Sequence, residues 1–113
     1  MNVQEVSLDL DKHPCSTVVR IGYTDVSAPT LAVSILDHGQ AVNLSGYDAV
    51  FEMRAPNGNM YAFDGTTSGN IATFVLNGYI PPGITDIAYV ALETDSQRLS
   101  TQRFRVEILE GGN

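Results

Sequence analysis

The feature that most constrains this chain is a two-residue period. Along most of its length apolar and polar side chains alternate, as they do in an extended strand with one buried and one wet face. No stretch carries the 3.6-residue period of an amphipathic helix. Val6, Leu8 and Leu10 alternate with Ser7 and Asp9, and Val19, Ile21 and Tyr23 alternate with Arg20 and Gly22. Leu31, Val33 and Ile35 follow, closed by Asp37, His38 and Gly39, and Val42 to Leu44 is expected to pair back before Ser45 and Gly46 turn the chain. Phe51 and Met53 alternate with Glu52 and Arg54; Ala72, Phe74 and Leu76, then Ala88, Val90 and Leu92, repeat the pattern. Phe104, Val106 and Ile108 alternate with Arg103, Arg105 and Glu107 in the last segment.

Turn formers punctuate these segments. His13 and Pro14 break the chain after the first. Asn57-Gly58, inside Pro56 to Asn59, tolerates positive φ at little cost and predicts a tight hairpin into Met60 to Phe63. Asp64 to Gly69 reads as a polar loop, Pro81, Pro82 and Gly83 interrupt the next connection, and Asp95 and Ser96 end a strand. The expected fold is therefore all-β: a two-layer sandwich of about seven or eight antiparallel strands around one core. With 113 residues the chain has room for one domain, 1–113, in which Glu110 to Asn113 has the composition of a flexible tail or the start of a linker.

Composition narrows the function. Apolar residues are 43% of the chain and charged residues 17%, a balance that folds rather than staying disordered. Thirteen acidic against six basic residues give a net charge of -7, and no run of Lys or Arg exists to track phosphates, so nucleic acid is not an expected partner. Cys15 is the single cysteine, which excludes an intrachain disulfide and, with only His13 and His38, a closed zinc site. Met1 to Leu10 lacks the basic start and apolar run of a signal peptide, and no run of about 18 apolar residues could span a bilayer, so a soluble protein made in the cytoplasm is expected, with no membrane partner.

Cys15 lies two residues from His13, but an extended chain does not by itself assemble a thiolate pair, and an inert cysteine is the simpler reading. Asp9, Asp11 and His13 share one face of an extended strand, which reads more simply as a solvated face than as a metal site. Asp37, Asp64, Asp86 and Asp95 sit beside turns, where aspartate bonds the backbone, and a calcium site is the weaker reading. Tyr23, Tyr47, Tyr61, Tyr79 and Tyr89 are the raw material of a carbohydrate platform on a β-sandwich, although tyrosine also packs well in strands and the chain has no Trp. Arg20, Arg54, Arg103 and Arg105 fall on outer sheet faces, as a surface for an acidic partner or as ordinary solvated positions. No glycine stretch has phosphate-loop spacing ahead of a helix. No catalytic residue, metal or cofactor is expected, and a binding surface is expected without its location.

Taken in order, Asp25, then Leu31, Val33, Ile35 and Gly39, then Val42-Asn43-Leu44-Ser45-Gly46 and Val50-Phe51-Glu52-Met53 form a pattern. It continues through Asn57-Gly58, Gly69-Asn70 before Ala72 to Leu76, Pro82-Gly83, and Ser100-Thr101-Gln102-Arg103-Phe104-Arg105-Val106. This pattern resembles the N-terminal domain of phage baseplate upper proteins and related tail-fibre and head-fibre proteins, over roughly residues 3 to 109. The resemblance implies an immunoglobulin-like sandwich that anchors a receptor-binding fibre or baseplate component to the virion through protein–protein contacts. Its partners would be other baseplate, tail or capsid proteins and further copies of itself, a trimer being the expectation. Family members typically continue into coiled-coil or receptor-facing parts, so a chain ending at Asn113 is expected to be either an excised anchor domain or a short virion protein. The resemblance carries no catalytic residues. A carbohydrate-binding module using exposed tyrosines is the alternative from another class.

Overall fold

The computed structural model describes residues 3–11, 17–22, 29–55, 57–77 and 80–109. They form ten strands: β1 (Val3–Asp9), β2 (Val18–Gly22), β3 (Thr30–Asp37), β4 (Gln40–Ala41), β5 (Asp48–Arg54), β6 (Met60–Ser68), β7 (Ile71–Val75), β8 (Gly83–Glu93), β9 (Arg98–Ser100) and β10 (Phe104–Leu109). No helix occurs among the described residues. The all-β expectation holds because the alternating segments bury one face each: Leu31, Val33 and Ile35 on β3, Ala49, Phe51 and Met53 on β5, and Phe104, Val106 and Ile108 on β10 are all buried.

The strands join into one mixed sheet in the order β1-β3-β7-β6-β5-β8-β10-β2, with β4 beside β3 and β9 beside β8. β6 is where the sheet folds over. Its residues 60–64 pair with β5, and its residues 65–68 pair with β7. One half of the sheet thus contains β1, β3, β7 and the end of β6; the other contains the start of β6, then β5, β8, β10 and β2. The halves face each other across a single core, and Phe51 lies at its centre, with ring centroids 6.0 Å from Phe74, 6.0 Å from Phe104 and 6.1 Å from Phe63. The path ends, β1 and β2, come into contact, which nearly closes the sheet into a barrel.

Three parts of the expected immunoglobulin-like sandwich need correction. Its two layers are halves of one mixed sheet that folds over at β6 and nearly closes into a barrel, not two separate sheets. The sheet is not wholly antiparallel: β1 pairs with β3, and β10 with β2, in parallel. Parallel neighbours need a crossover rather than a hairpin, and β2 provides it, because the chain leaves β1 for the opposite half and returns to run beside β1 as β3. The strand number also rises from about seven or eight to ten. Asp64 to Ser68, expected in a loop on its Gly/Ser/Thr content, continues β6, and Arg98–Ser100 forms a short strand against β8. The return after Gly39 comes at Gln40–Ala41, and Val42 extends it by donating its N–H to the Ile35 carbonyl at 3.1 Å.

Gly65 permits the fold-over. A Cβ there would lie 2.5 Å from Cε1 and 2.6 Å from Cδ1 of Phe74, and 2.9 Å from the Thr73 carbonyl oxygen. The Phe74 ring occupies the space a side chain would need. The β5–β6 hairpin forms as expected, although its positive φ falls on Gly58 alone (89°), while the Asn57 side chain accepts the N–H of Asn59 at 3.0 Å.

Candidate functional surfaces

Apart from Thr85 and Thr101 the buried side chains among the described residues are apolar, and the two halves of the sheet present different outer surfaces. The outer face of the β5-β8-β10-β2 half is ion-paired. Arg20 Nε meets Glu107 at 3.0 Å, Arg105 Nε meets Asp86 at 2.6 Å, and Arg98 bridges Glu52 at 2.6 Å and Glu93 at 2.8 Å. Asp86 is presented by a bulge: Phe104 opposes Ala88 but Val106 opposes Thr85, so β8 carries one extra residue there. Thr85 Oγ1 accepts the Ile87 N–H at 3.1 Å across that bulge. Tyr89 stands opposite Glu52 on the same face, and its hydroxyl is pushed up from the ordinary phenol range, first by its hydrogen bond to Glu52 and then by burial. Glu93, then Glu52, hold the Arg98 guanidinium more firmly charged than usual.

The outer face of the β1-β3-β7-β6 half has almost no charge. The registers place Val3, Thr30 and Val75 side by side in one row, then Glu5, Ala32, Thr73 and Thr66, then Ser7, Ser34, Ile71 and Ser68. Glu5 is the one ionisable group in these rows, and Asp64, exposed on the same side of β6 two residues before Thr66, borders them. Val3, Ile71 and Val75 are 40–47% exposed.

A third feature is the clasp at the end of β1. Asp9 Oδ1 accepts the N–H groups of Asp11 at 2.8 Å and His38 at 2.9 Å, and its Oδ2 accepts that of Gly39 at 2.9 Å. His38 and Gly39 both take positive φ, 50° and 82°, as the central pair of the tight β3–β4 turn. The Asp11 N–H, followed by those of Gly39 and His38, holds the Asp9 carboxyl below the usual carboxylate range. Nδ1 of His38 lies 2.8 Å from Asp37 Oδ1 and its Nε2 lies 3.4 Å from Asp11 Oδ2. The Asp37 hydrogen bond, then the Asp11 charge, raise the imidazole above its ordinary value.

Among the described residues the candidates gather only at the Asp9 clasp, where Asp11 and Asp37 meet His38. His13, Cys15, Tyr23, Asp25 and Tyr79 lie outside the described residues. Asp9 serves the backbone, and no group of three or more His, Cys, Asp or Glu side chains is arranged to hold a metal among the described residues. Asp37 ends β3, Asp64 lies within β6 rather than beside a turn, Asp86 sits on the β8 bulge and Asp95 in the β8–β9 turn, so the four share no centre. Tyr47 and Tyr61 pack against the core and Tyr89 joins the Glu52–Arg98 cluster, which leaves no stacking platform among the described tyrosines. Arg20, Arg54, Arg103 and Arg105 are exposed, as expected. Local alternation along the chain shows neither the ion pairs of Arg98 nor the sparsely charged face, since both join residues of separate strands.

These features define an all-β domain with two contrasting outer faces and no gathered catalytic group among the described residues. Its fold is similar to a solved structure, the N-terminal domain of phage TP901-1 ORF48: TM-score 0.71 at 16% identity, covering 97% of this chain and 100% of that one. ORF48 is the baseplate upper protein, so the structural likeness falls on the group of proteins that the sequence pattern resembles. At that identity the likeness is one of fold. No protein-family model matches the chain, and no curated protein matches it.

Proposed function

We propose that the chain is a structural domain of a phage virion, anchoring a receptor-binding fibre or a baseplate component to the particle through protein–protein contacts. The observation that carries this reading is the near-complete, end-to-end likeness in fold to the ORF48 N-terminal domain. The physics supports it. An anchor needs a stiff body with outer faces of defined chemistry, and a folded-over sheet with one continuous core provides such a body. On this reading the domain is not an enzyme, requires no cofactor, resides in the virion, and binds baseplate, tail or capsid proteins and further copies of itself. Repeated copies then add weak contacts through multivalency.

Co-expression with the structural proteins encoded beside it tests the reading. A complex that survives size-exclusion chromatography is expected. Separate elution from every one of those proteins overturns it.

A further inference from the structure

We propose that Asn57 is a site of covalent self-modification: the Gly58 nitrogen attacks the Asn57 side-chain amide and converts it to aspartate and isoaspartate, and the β5–β6 hairpin holds this reaction in check until the turn opens. The inference stands on the turn alone and does not depend on a place in the virion.

The turn demands the residues that make it reactive. Gly58 takes φ 89°, a left-handed conformation that favours glycine, and Asn57 supplies the side-chain oxygen that accepts the Asn59 N–H at 3.0 Å. The same pair is chemically labile, because a glycine nitrogen has no neighbouring side chain to block its approach to the amide carbon of the residue before it. Asn43, Asn59 and Asn70 are followed by Leu44, Met60 and Ile71, whose side chains crowd that approach. Residues 57–59 are exposed, and a Cβ on Gly58 would find no atom within 4 Å, so water and hydroxide reach the site.

The step balances with no reagent beyond water. The Gly58 nitrogen gives up its proton and bonds to Cγ of Asn57; the Cγ–Nδ2 bond breaks, and Nδ2 leaves as ammonia. A five-membered imide remains. Water then opens one of its two ring C–N bonds. Breaking the bond to Cγ restores the original main chain with aspartate at 57. Breaking the bond to the main-chain carbonyl leaves isoaspartate, in which the chain runs through Cβ and Cγ and is one carbon longer.

In the closed hairpin both reacting groups are held elsewhere. The Gly58 N–H donates to the Ala55 carbonyl at 2.9 Å, so the proton that must leave is engaged, and the Asn57 amide oxygen is held by Asn59. The Ala55 N–H, bonded to the Asn59 carbonyl at 2.8 Å, closes the turn around them. Attack therefore needs the turn to open, and the folded rate is the open-chain rate multiplied by the fraction open. Isoaspartate does not close the turn again, because its extra carbon shifts the N–H groups of Gly58 and Asn59 out of register with their acceptors. Either product adds a carboxylate to a chain whose net charge is already -7.

Ageing the 113-residue chain at mildly alkaline pH, folded and in guanidinium chloride, tests this. Mass spectrometry with fragmentation of the tryptic peptide 55–98 separates Asn57 from Asn59, Asn70 and Asn77. Asn77, which also precedes a glycine, is the internal standard in the unfolded chain. Conversion at Asn57 is expected in both samples and at least about tenfold slower in the folded one, the factor set by an opening free energy of about 1.4 kcal/mol. The isoaspartate form, isolated by chromatography, should melt below an Asn57→Asp variant and lose the amide shifts that Gly58 and Asn59 have in the closed turn. Four results would each overturn the proposal: equal rates folded and unfolded; Asn57 unconverted in the folded chain through many half-lives of the unfolded one; conversion of Asn43, Asn59 or Asn70 in the folded chain as fast as that of Asn57; or an isoaspartate form that keeps the Gly58 and Asn59 shifts.

Discussion

Asp9 and Gln102 bond each other twice: the Asp9 N–H donates to Gln102 Oε1 at 3.0 Å, and the Gln102 N–H donates to the Asp9 carbonyl at 2.9 Å. Asp9 ends β1 in one half of the sheet, and Gln102 precedes β10 in the other. The pair ties the halves together across the open side of the barrel, opposite the fold-over at Gly65. The Asp9 carboxylate meanwhile holds the β3–β4 turn, so one residue organises both the seam and the neighbouring hairpin.

Replacing Asp9 by Ala removes the acceptor for three N–H groups and is expected to lower the melting temperature. The folded-state pKa of Asp9 is depressed, so its contribution is fully present above the unfolded carboxyl value of about 3.9 and is lost as pH falls through the folded value. The gap in melting temperature between parent and Asp9→Ala should thus be widest near neutrality and narrow towards strongly acid pH. A gap that is constant with pH would show that the carboxylate charge is not what holds the turn.

His38 titrates in the opposite sense. Its folded-state value is raised, so the stabilisation is fully present below about pH 6.5, the unfolded value, and disappears as pH rises through the folded one. Proton NMR titration should give His38 a pKa above that of an ordinary imidazole, and Asp37→Asn should bring it down.

Gly65→Ala is expected to destabilise the fold by about 1–3 kcal/mol, the usual cost of overpacking, because the added methyl group enters the space of the buried Phe74 ring and the Thr73 carbonyl. Urea denaturation measures this directly. Neutral behaviour would mean that the β6 corner is looser than its contacts indicate.

Phe51→Ala is expected to cost about 3–5 kcal/mol, a large share of the ~5–15 kcal/mol that typically holds a domain, since Phe51 touches aromatic rings from both halves. Arg98→Ala should cost at most about 1 kcal/mol, because its ion pairs are solvent-exposed. Comparable losses for the two would contradict a fold held by its core.

The strands legible in the sequence are those whose apolar residues alternate cleanly, such as Leu31, Val33 and Ile35 or Phe104, Val106 and Ile108. Residues 64–68 were not legible, because Asp, Gly, Thr and Ser are turn formers by composition; here they form a strand because β7 supplies a ladder and Phe74 fills the place of the missing side chain. The parallel pairs were also out of reach, since alternation reports which face is buried and says nothing of which strand lies alongside. The same limit hid the outer face of the β1, β3 and β7 half. Glu5, Ala32, Thr73 and Thr66 come from four separated segments and become a row only through three registers. The resemblance pointed to the baseplate upper protein whose N-terminal domain shares this fold, because it reads the order of turns and core positions along the whole chain, but the immunoglobulin-like sandwich it implied missed the parallel pairs as well.

The most direct measurement is peptide mass spectrometry of purified phage particles released from cells that carry the coding sequence. A structural anchor should be found in those particles at a fixed ratio to their tail or capsid proteins. Its absence from particles, with the chain abundant in the lysate that yields them, would contradict a place in the virion.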